Sequence, residues 1–301
     1  SIMHLGAKPI FIDIDRNSQN MDASLIEQAI TPNTKAIMAI HIAGWPCEMD
    51  IIQEICKKHN LYLIEDCAQA HGAQYNNQSV GSFGDINAWS FCQDKIMSTA
   101  GEGGMVTTNN KQLWEKVWSF KDHGKNYDTV YNKEHPPGFR WLHEDHGTNA
   151  RLTEIQSAIG RLQLRKLDSW IDKRTRLASI FNDGFKDIDG LRITLSPDHI
   201  KHAHYKYYVF VENEKLKDGK NRDFIMNSLN AMGTPCYSGS CSEIYKEKAF
   251  DKIFPKGHAA LPVAKELADT SLMFLIHPTI DEEDIYTIVD QTKGIMKDIL
   301  K

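Results

Sequence analysis

The sequence predicts an α/β protein, with a large domain over residues 1–168 built on a mostly parallel sheet and a smaller α+β domain over residues 169–301. Three observations carry this. Short apolar runs alternate with amphipathic stretches through the first two-thirds of the chain, the grammar of βαβ units. The grammar changes near residue 190, where strand and helix patterns no longer alternate regularly. No internal repeat or low-complexity linker interrupts either part.

The elements follow in order. Lys8–Ile12 reads as the lead into a buried strand. Ala36–Ile42 has strand character, Met49, Ile52, Ile55 and Cys56 recur at helical spacing, and Leu61–Ile64 is a second strand-like run. Strand, helix, strand over that length implies parallel strands covered by a helix. Ile86–Phe91 and Met105–Thr108 read as further strands, separated by the glycine-rich turn Gly101–Gly104. Leu113, Val117 and Phe120 mark a helix. The long polar stretch Lys121–Thr148 contains Pro136, Pro137 and Gly138, and loops of such length are usually functional or interfacial. Leu152–Leu167 is a helix leading into another near Trp170–Phe181. Tyr205–Glu212 reads as a strand, Arg222–Leu229 as a helix and Asp281–Leu300 as a terminal helix.

Bulk properties exclude several function classes. At 301 residues the chain buries a large core, and 41% hydrophobic with 25% charged residues is ordinary globular composition. A formal net charge of -5 gives no reason to expect nucleic-acid binding. No apolar run is long enough to span a bilayer, and no signal-peptide pattern opens the chain. The six cysteines, Cys47, Cys56, Cys67, Cys92, Cys236 and Cys241, form no C-x-x-C pair, lie mostly within apolar runs and read as reduced core residues of a cytoplasmic protein. No H-E-x-x-H spacing is present, so no metal is expected.

In open α/β sheets ligands collect at the carboxyl ends of parallel strands. Two such ends carry unusual polar residues: Glu65–Gly72 after the Leu61–Ile64 run, and Ser90–Lys95 around the end of the Ile86–Phe91 run. Singly, each residue has an ordinary reading, an aspartate as a turn or cap and a lysine as a solvated loop residue. Together they place a carboxylate (Asp66), an amide (Gln69), a hydroxyl (Ser90) and an amine (Lys95) at neighbouring strand ends. Pyridoxal 5'-phosphate (PLP) chemistry needs that set: an amine for a Schiff base, a carboxylate to keep the ring nitrogen protonated, and a hydroxyl with backbone N–H groups for the phosphate.

Five segments carry a resemblance: EDCAQAHGA (65–73), VGSFGD (80–85), WSFCQDK (89–95), GEGGMVTTN (101–109) and HGTNARLTEIQSAIGRLQL (146–164). In order and spacing they resemble the DegT/DnrJ/StrS family of sugar aminotransferases, PLP enzymes of the aspartate-aminotransferase fold (fold type I). The resemblance runs from GAKPIFIDID (6–15) to LIHPTIDEEDI (275–285). It implies Lys95 as the Schiff-base lysine and proton shuttle, Asp66 as ring-nitrogen partner and Gln69 against the 3-hydroxyl face. It also implies Ser90 as a phosphate ligand and Asn149 as the residue reaching the phosphate of a neighbouring subunit. A homodimer with shared active sites follows, with the 121–148 stretch interfacial. The implied reaction is ping-pong transfer of an amino group, from glutamate, to a keto carbon of a nucleotide-linked sugar in cell-surface polysaccharide or glycan biosynthesis.

Relatives that dehydrate a sugar carry histidine where this chain has Lys95, so the lysine favours the transaminase over the dehydratase. The intact Asp66, Gln69, Ser90 and Lys95 set argues against a non-catalytic binding or regulatory protein that keeps the fold, while the expected loss of the family's N-terminal segment argues for one. The family's phosphate-cradling loop lies upstream of GAKPIFIDID, whereas this chain starts at Ser1. The expectation is a fragment of a longer enzyme, or weak PLP binding, since each charge-assisted hydrogen bond to a phosphate contributes roughly 1.5–3 kcal/mol. His41, His123, His202, His204 and His277, with Tyr237, Ser238 and Arg151, are further residues that could approach substrate or simply be structural.

Overall fold

The computed structural model describes residues 1–138 and 140–301. In chain order its elements are α1 (Ile26–Ala29), β1 (Ala36–Ile40), α2 (Met49–His59), β2 (Tyr62–Asp66), β3 (Gln74–Tyr75), β4 (Gln78–Ser79), β5 (Ile86–Ser90) and β6 (Gly104–Thr107). There follow α3 (Lys111–Lys121), α4 (Tyr127–Tyr131), α5 (Glu154–Leu164), α6 (Leu167–Phe185), β7 (Leu191–Arg192), β8 (Ile200–Lys201) and β9 (Lys206–Val211). The chain ends with α7 (Arg222–Ala231), β10 (Cys236–Tyr237), α8 (Pro262–Thr270), β11 (Ser271–Leu275) and α9 (Glu282–Ile299).

The first sheet has the order β1-β2-β5-β6. β1, β2 and β5 are parallel, with Ile40 opposite Asp66 and Asp66 opposite Ala88, while β6 returns antiparallel to β5. That reversal needs only the short 91–103 connection, whereas a parallel return requires a longer crossover. α2 is that crossover between β1 and β2, and it buries Met49, Ile52, Ile55 and Cys56. With Ile37, Ala39 and Leu63 these form one core. The second sheet, β10-β11-β9-β7, is antiparallel throughout. α6, α7 and α9 cover it around Phe181, Phe185, Val209, Leu229, Phe274 and Ile285. β4, β3 and β8 form a small third sheet.

α6 serves both cores. Leu167 and Ile171 pack with Cys67, Ala70, Ala203 and Tyr205, while Leu177 to Phe185 belong to the core of the second sheet. A 19-residue helix gives room for two such contacts along its length.

Three expectations are corrected. The Lys8–Ile12 segment forms no strand and Ile10 is 57% exposed. Among the described residues no strand pairs with it, and Phe11 packs instead on Phe250, Phe254 and His258. The polar 121–148 stretch is not structureless: it holds α4 and closes on itself through the Lys125–His143 bridge, with Asp122 bridging Asn149 just beyond. Phe139, within that stretch, lies outside the described residues. The cysteines are not all core residues: Cys241 is exposed and Cys92 is only partly buried, because each lies on a loop rather than in a covered strand or helix.

All six cysteines are free. Among the described residues no helix is long and apolar enough to cross a membrane.

Candidate active site

β2 ends in Glu65-Asp66, and the two carboxylates point to opposite sides because strand side chains alternate. Glu65 turns into the protein and is fully buried. One oxygen accepts from His41 Nε2 (3.0 Å) and Gly81 N (2.7 Å), the other from Phe83 N (2.8 Å) and Gly84 N (2.7 Å). Burial pushes its pKa up, but the bonds from His41, Gly81 and Gly84 prevail and hold it below the ordinary glutamate range. The VGSFGD segment is therefore an N–H cradle for a structural carboxylate, and His41 is part of that anchor.

Asp66 takes the other side, at the carboxyl end of β2. Its Oδ1 accepts from Ala68 N (3.0 Å), an Asx turn that starts the loop toward Gln69. Among the described residues its second oxygen has no hydrogen-bond partner. Gln69 Oε1 accepts from Ala43 N (2.7 Å), leaving its NH₂ donors without a partner there. Ser90 ends β5, two residues beyond the Ala88 that faces Asp66, so Asp66 and Ser90 sit at the ends of adjacent strands about 5 Å apart laterally. Ser90 Oγ accepts from Cys92 N at 3.4 Å.

Lys95 lies on the loop after β5, its side chain 17% exposed. Its Nζ is 3.7 Å from Asp94 Oδ1 and 5.2 Å from the centre of the Tyr205 ring. Tyr205 donates its hydroxyl to Asp94 Oδ2 (2.6 Å). Burial opposes ionisation of Asp94, but the Tyr205 and Cys92 hydrogen bonds and the Lys95 charge hold its carboxyl below the usual range. Burial, then Asp94, push the Tyr205 phenol up, so it stays a donor.

Tyr205 and Asp94 are functional candidates that sequence reasoning missed; Tyr205 hides as the first residue of an apolar-aromatic run. His71 is a third. It is 3% exposed, packed on Trp89 and Phe91, and neither ring nitrogen closes a hydrogen bond, although the Ser90 main chain lies beside it. Burial, helped by the charges of Lys95 and Arg174 and opposed by the Ser90 main chain, pushes its pKa down to about 4. It is neutral near pH 7.

The structure does not bring Asn149 to these strand ends. It sits on an exposed stretch where its Oδ1 accepts from Arg151 Nε (3.0 Å), and Arg151 also faces Asp122 at 3.6 Å. The remaining histidines divide. His123 lies 3.4 Å from Arg151, and His277 pairs with Thr279 at 2.7 Å. His202 and His204 stack face to face at 4.1 Å and line a cavity of about 340 Å³ with Trp45, Ser196 and Tyr208, a space that Asp66 and Lys95 do not border. Tyr237 is exposed in β10, and the Ser238 carbonyl accepts from Ser271 Oγ. His41, Glu65 and Cys67 bring ligand atoms within 4.8 Å of one another. Hydrogen bonds already occupy both histidine nitrogens and both Glu65 oxygens, and burial pushes the Cys67 thiol up, so this trio is core rather than a metal centre.

Comparison with known proteins meets this geometry. GDP-perosamine synthase of Escherichia coli O157:H7 is 32% identical over 299 residues, covering 99% of this chain and 76% of its own length. Among solved structures, the aminotransferase from Psychrobacter cryohalolentis matches with a TM-score of 0.94 and 49% identity, over 99% of this chain and 78% of its own. DesV of S. venezuelae, solved in complex with a ketimine intermediate, matches with a TM-score of 0.87 and 27% identity, over 98% of this chain and 74% of its own. The model of the DegT/DnrJ/EryC1/StrS aminotransferase family matches residues 1–293, and this chain, with its parallel strand ends carrying Asp66, Gln69, Ser90 and Lys95, belongs to that family.

Proposed function

We propose that this chain is a PLP-dependent aminotransferase that moves an amino group, from glutamate, to a keto carbon of a nucleotide-linked sugar in glycan biosynthesis, with Lys95 as the amine that holds the cofactor. The observation that carries this is the placement of Asp66 and Ser90 at the carboxyl ends of adjacent parallel strands, with Gln69 and Lys95 on the loops that follow.

The groups present fit the cofactor. An Asp66 oxygen without a partner suits a ring N–H, the unpaired NH₂ of Gln69 suits a ring hydroxyl, and the Ser90 hydroxyl suits a phosphate. The buried, unpartnered ring nitrogens of neutral His71 mark polar capacity beside Ser90 that no described residue uses. Bound PLP supplies the electron sink that amino transfer needs. The chain's own residues orient it: Asp66 keeps the ring nitrogen cationic by Coulomb attraction in a partly buried site, and Lys95 carries a proton to and from the reacting carbon.

The substrate class rests on relatives such as GDP-perosamine synthase, whose name specifies a nucleotide sugar. Glutamate as donor, a homodimer and a cytoplasmic location belong to the same reading. The exposed position of Asn149 suits a residue that serves a partner's phosphate, and exposed Ile155, Leu162, Met105 and Trp141 supply apolar surface for a second copy. The division at 168/169 makes α6 the connecting helix. A net charge of -5 favours neither nucleic acid nor an acidic membrane surface.

Incubation with PLP, borohydride reduction and peptide mass mapping test the reading. A phosphopyridoxyl group on Lys95, with glutamate-dependent amination of a keto-sugar nucleotide that Lys95→Arg abolishes, is the expected result. Labelling that settles on other lysines and spares Lys95 would end it.

A further inference from the structure

Lys95 is held by Asp94, its neighbour in the 89–95 segment, and by Tyr205, which no motif contains. Tyr205 stands immediately before β9, in the chain segment that leads into the second sheet, yet its side chain reaches the loop after β5. Its backbone is fixed at both ends. Its N–H donates to the Ala43 carbonyl (2.8 Å), and its own carbonyl accepts from buried Arg174 Nη1 (3.4 Å), which also donates to the carbonyls of His204 and Ile276. Ala43, 3% exposed and in the left-handed region at φ 56°, in turn donates its N–H to Gln69. A continuous hydrogen-bonded path thus runs from Gln69 through Ala43 and Tyr205 to Asp94, and Asp94 faces the Lys95 ammonium.

We propose that Tyr205 is a positioning residue for Lys95: its hydroxyl holds Asp94 Oδ2 and so limits the pull of that carboxylate on the ammonium, while its ring supplies the face over which the ammonium sits. The proposal deepens the preceding reading, since it says how the second sheet sets the place of the reacting amine. Two attractions act on one cation, a carboxylate at 3.7 Å and an aromatic face at 5.2 Å. Neither is strong alone, because Asp94 is half exposed and its pairing is screened by water. Acting from two directions they fix orientation, which matters more here than binding energy, because a reacting atom displaced by about 1 Å loses rate steeply. Lys206 lies over the same ring at 4.6 Å, so the two ammonium groups are within about 10 Å of each other and repel. Among the described residues Lys206 has no carboxylate partner within salt-bridge distance, which leaves Asp94 as the anion that balances this pair of lysines.

The arrangement predicts opposite effects from two conservative changes. In Tyr205→Phe the ring remains, but Asp94 loses its hydrogen-bond donor, so its charge turns fully to Lys95 and the ammonium form is favoured. In Asp94→Asn the counter-charge is gone and the free amine is favoured. The test is competitive acetylation of the full chain without added cofactor, at fixed pH near 8, with each lysine's rate read by mass spectrometry and exposed Lys111 and Lys265 as internal standards. Relative to the standards, Lys95 should react about three- to tenfold more slowly in Tyr205→Phe and about three- to tenfold faster in Asp94→Asn. A role limited to packing would loosen the loop in both variants and speed both reactions, so rates that move together overturn the proposal, as do rates unchanged in both with native circular dichroism. The double variant should follow Asp94→Asn alone, since Tyr205 acts through Asp94; additive effects count against it. Failure of PLP to label Lys95 would end the functional reading and leave this acetylation result to stand or fall separately.

Discussion

His41 Nε2 lies 3.0 Å from Glu65 Oε2, and neither side chain has any exposure to solvent. Cys47 N donates to His41 Nδ1 (3.0 Å), so the proton sits on Nε2 and the imidazole donates to Glu65. With the three N–H groups of Gly81, Phe83 and Gly84, all the acceptor directions that matter on Glu65 are filled. One carboxylate thereby ties the end of β1, the end of β2 and the 80–85 loop together, immediately beside Asp66.

Glu65→Gln is predicted to destabilise the fold by about 3–5 kcal/mol, because an amide NH₂ then faces donors inside a dry site. Urea unfolding followed by tryptophan fluorescence measures it. A loss below about 1 kcal/mol would show that the carboxylate is not the anchor described.

Acid should destabilise the protein in two stages. His71 and His204 are both pushed by burial from 6.5 to about 4, so between those values the unfolded chain binds protons that the folded one refuses. Their contribution is complete above pH 6.5 and is lost as pH falls toward 4, at about 1.4 kcal/mol per pH unit for each group. Glu65 is held below its ordinary value, so its contribution persists through that window and fades only as pH falls below the glutamate range. His202, stacked on His204, is pushed down by burial in the same way, so replacing His71 with leucine should remove roughly a quarter to a third of the slope of stability between pH 6 and 5; an unchanged slope contradicts the assignment of a neutral buried imidazole.

Asp66→Asn keeps the Asx turn to Ala68 but removes the charge. Transamination should fall about 10²- to 10³-fold with the unfolding midpoint unchanged. A variant with near-normal turnover would exclude Asp66 as the partner of the ring nitrogen.

Gly81 has φ 78°, and a Cβ there would lie 2.2 Å from the Trp89 ring. Gly81→Ala should therefore cost about 1–3 kcal/mol, from left-handed strain and a clash that also disturbs the Gly81 N–H to Glu65. Thermal unfolding reads the loss.

Ile155 is 76% and Leu162 is 57% exposed, two turns apart on α5. If this face meets a second copy, Ile155→Asp with Leu162→Asp should convert a dimeric sedimentation mass to a monomeric one without loss of secondary structure. Retention of the dimer places its interface elsewhere.

The sequence by itself determined the parallel-sheet architecture, the helix between β1 and β2, and the family, because hydrophobic period and ordered motifs are local properties of the chain. It also named Asp66, Gln69, Ser90 and Lys95 as candidates, since each follows a readable strand. It misjudged Lys8–Ile12 and the burial of Cys241, where the outcome depends on what packs alongside. Only the tertiary structure decided that Glu65 faces inward while its neighbour Asp66 faces outward. It alone brought Tyr205 across 111 positions to Asp94, and left Asn149 away from the strand ends of its own chain. The reason is physical: hydrogen bonds and ion pairs are set by distances between elements far apart in sequence, and no local pattern encodes those distances.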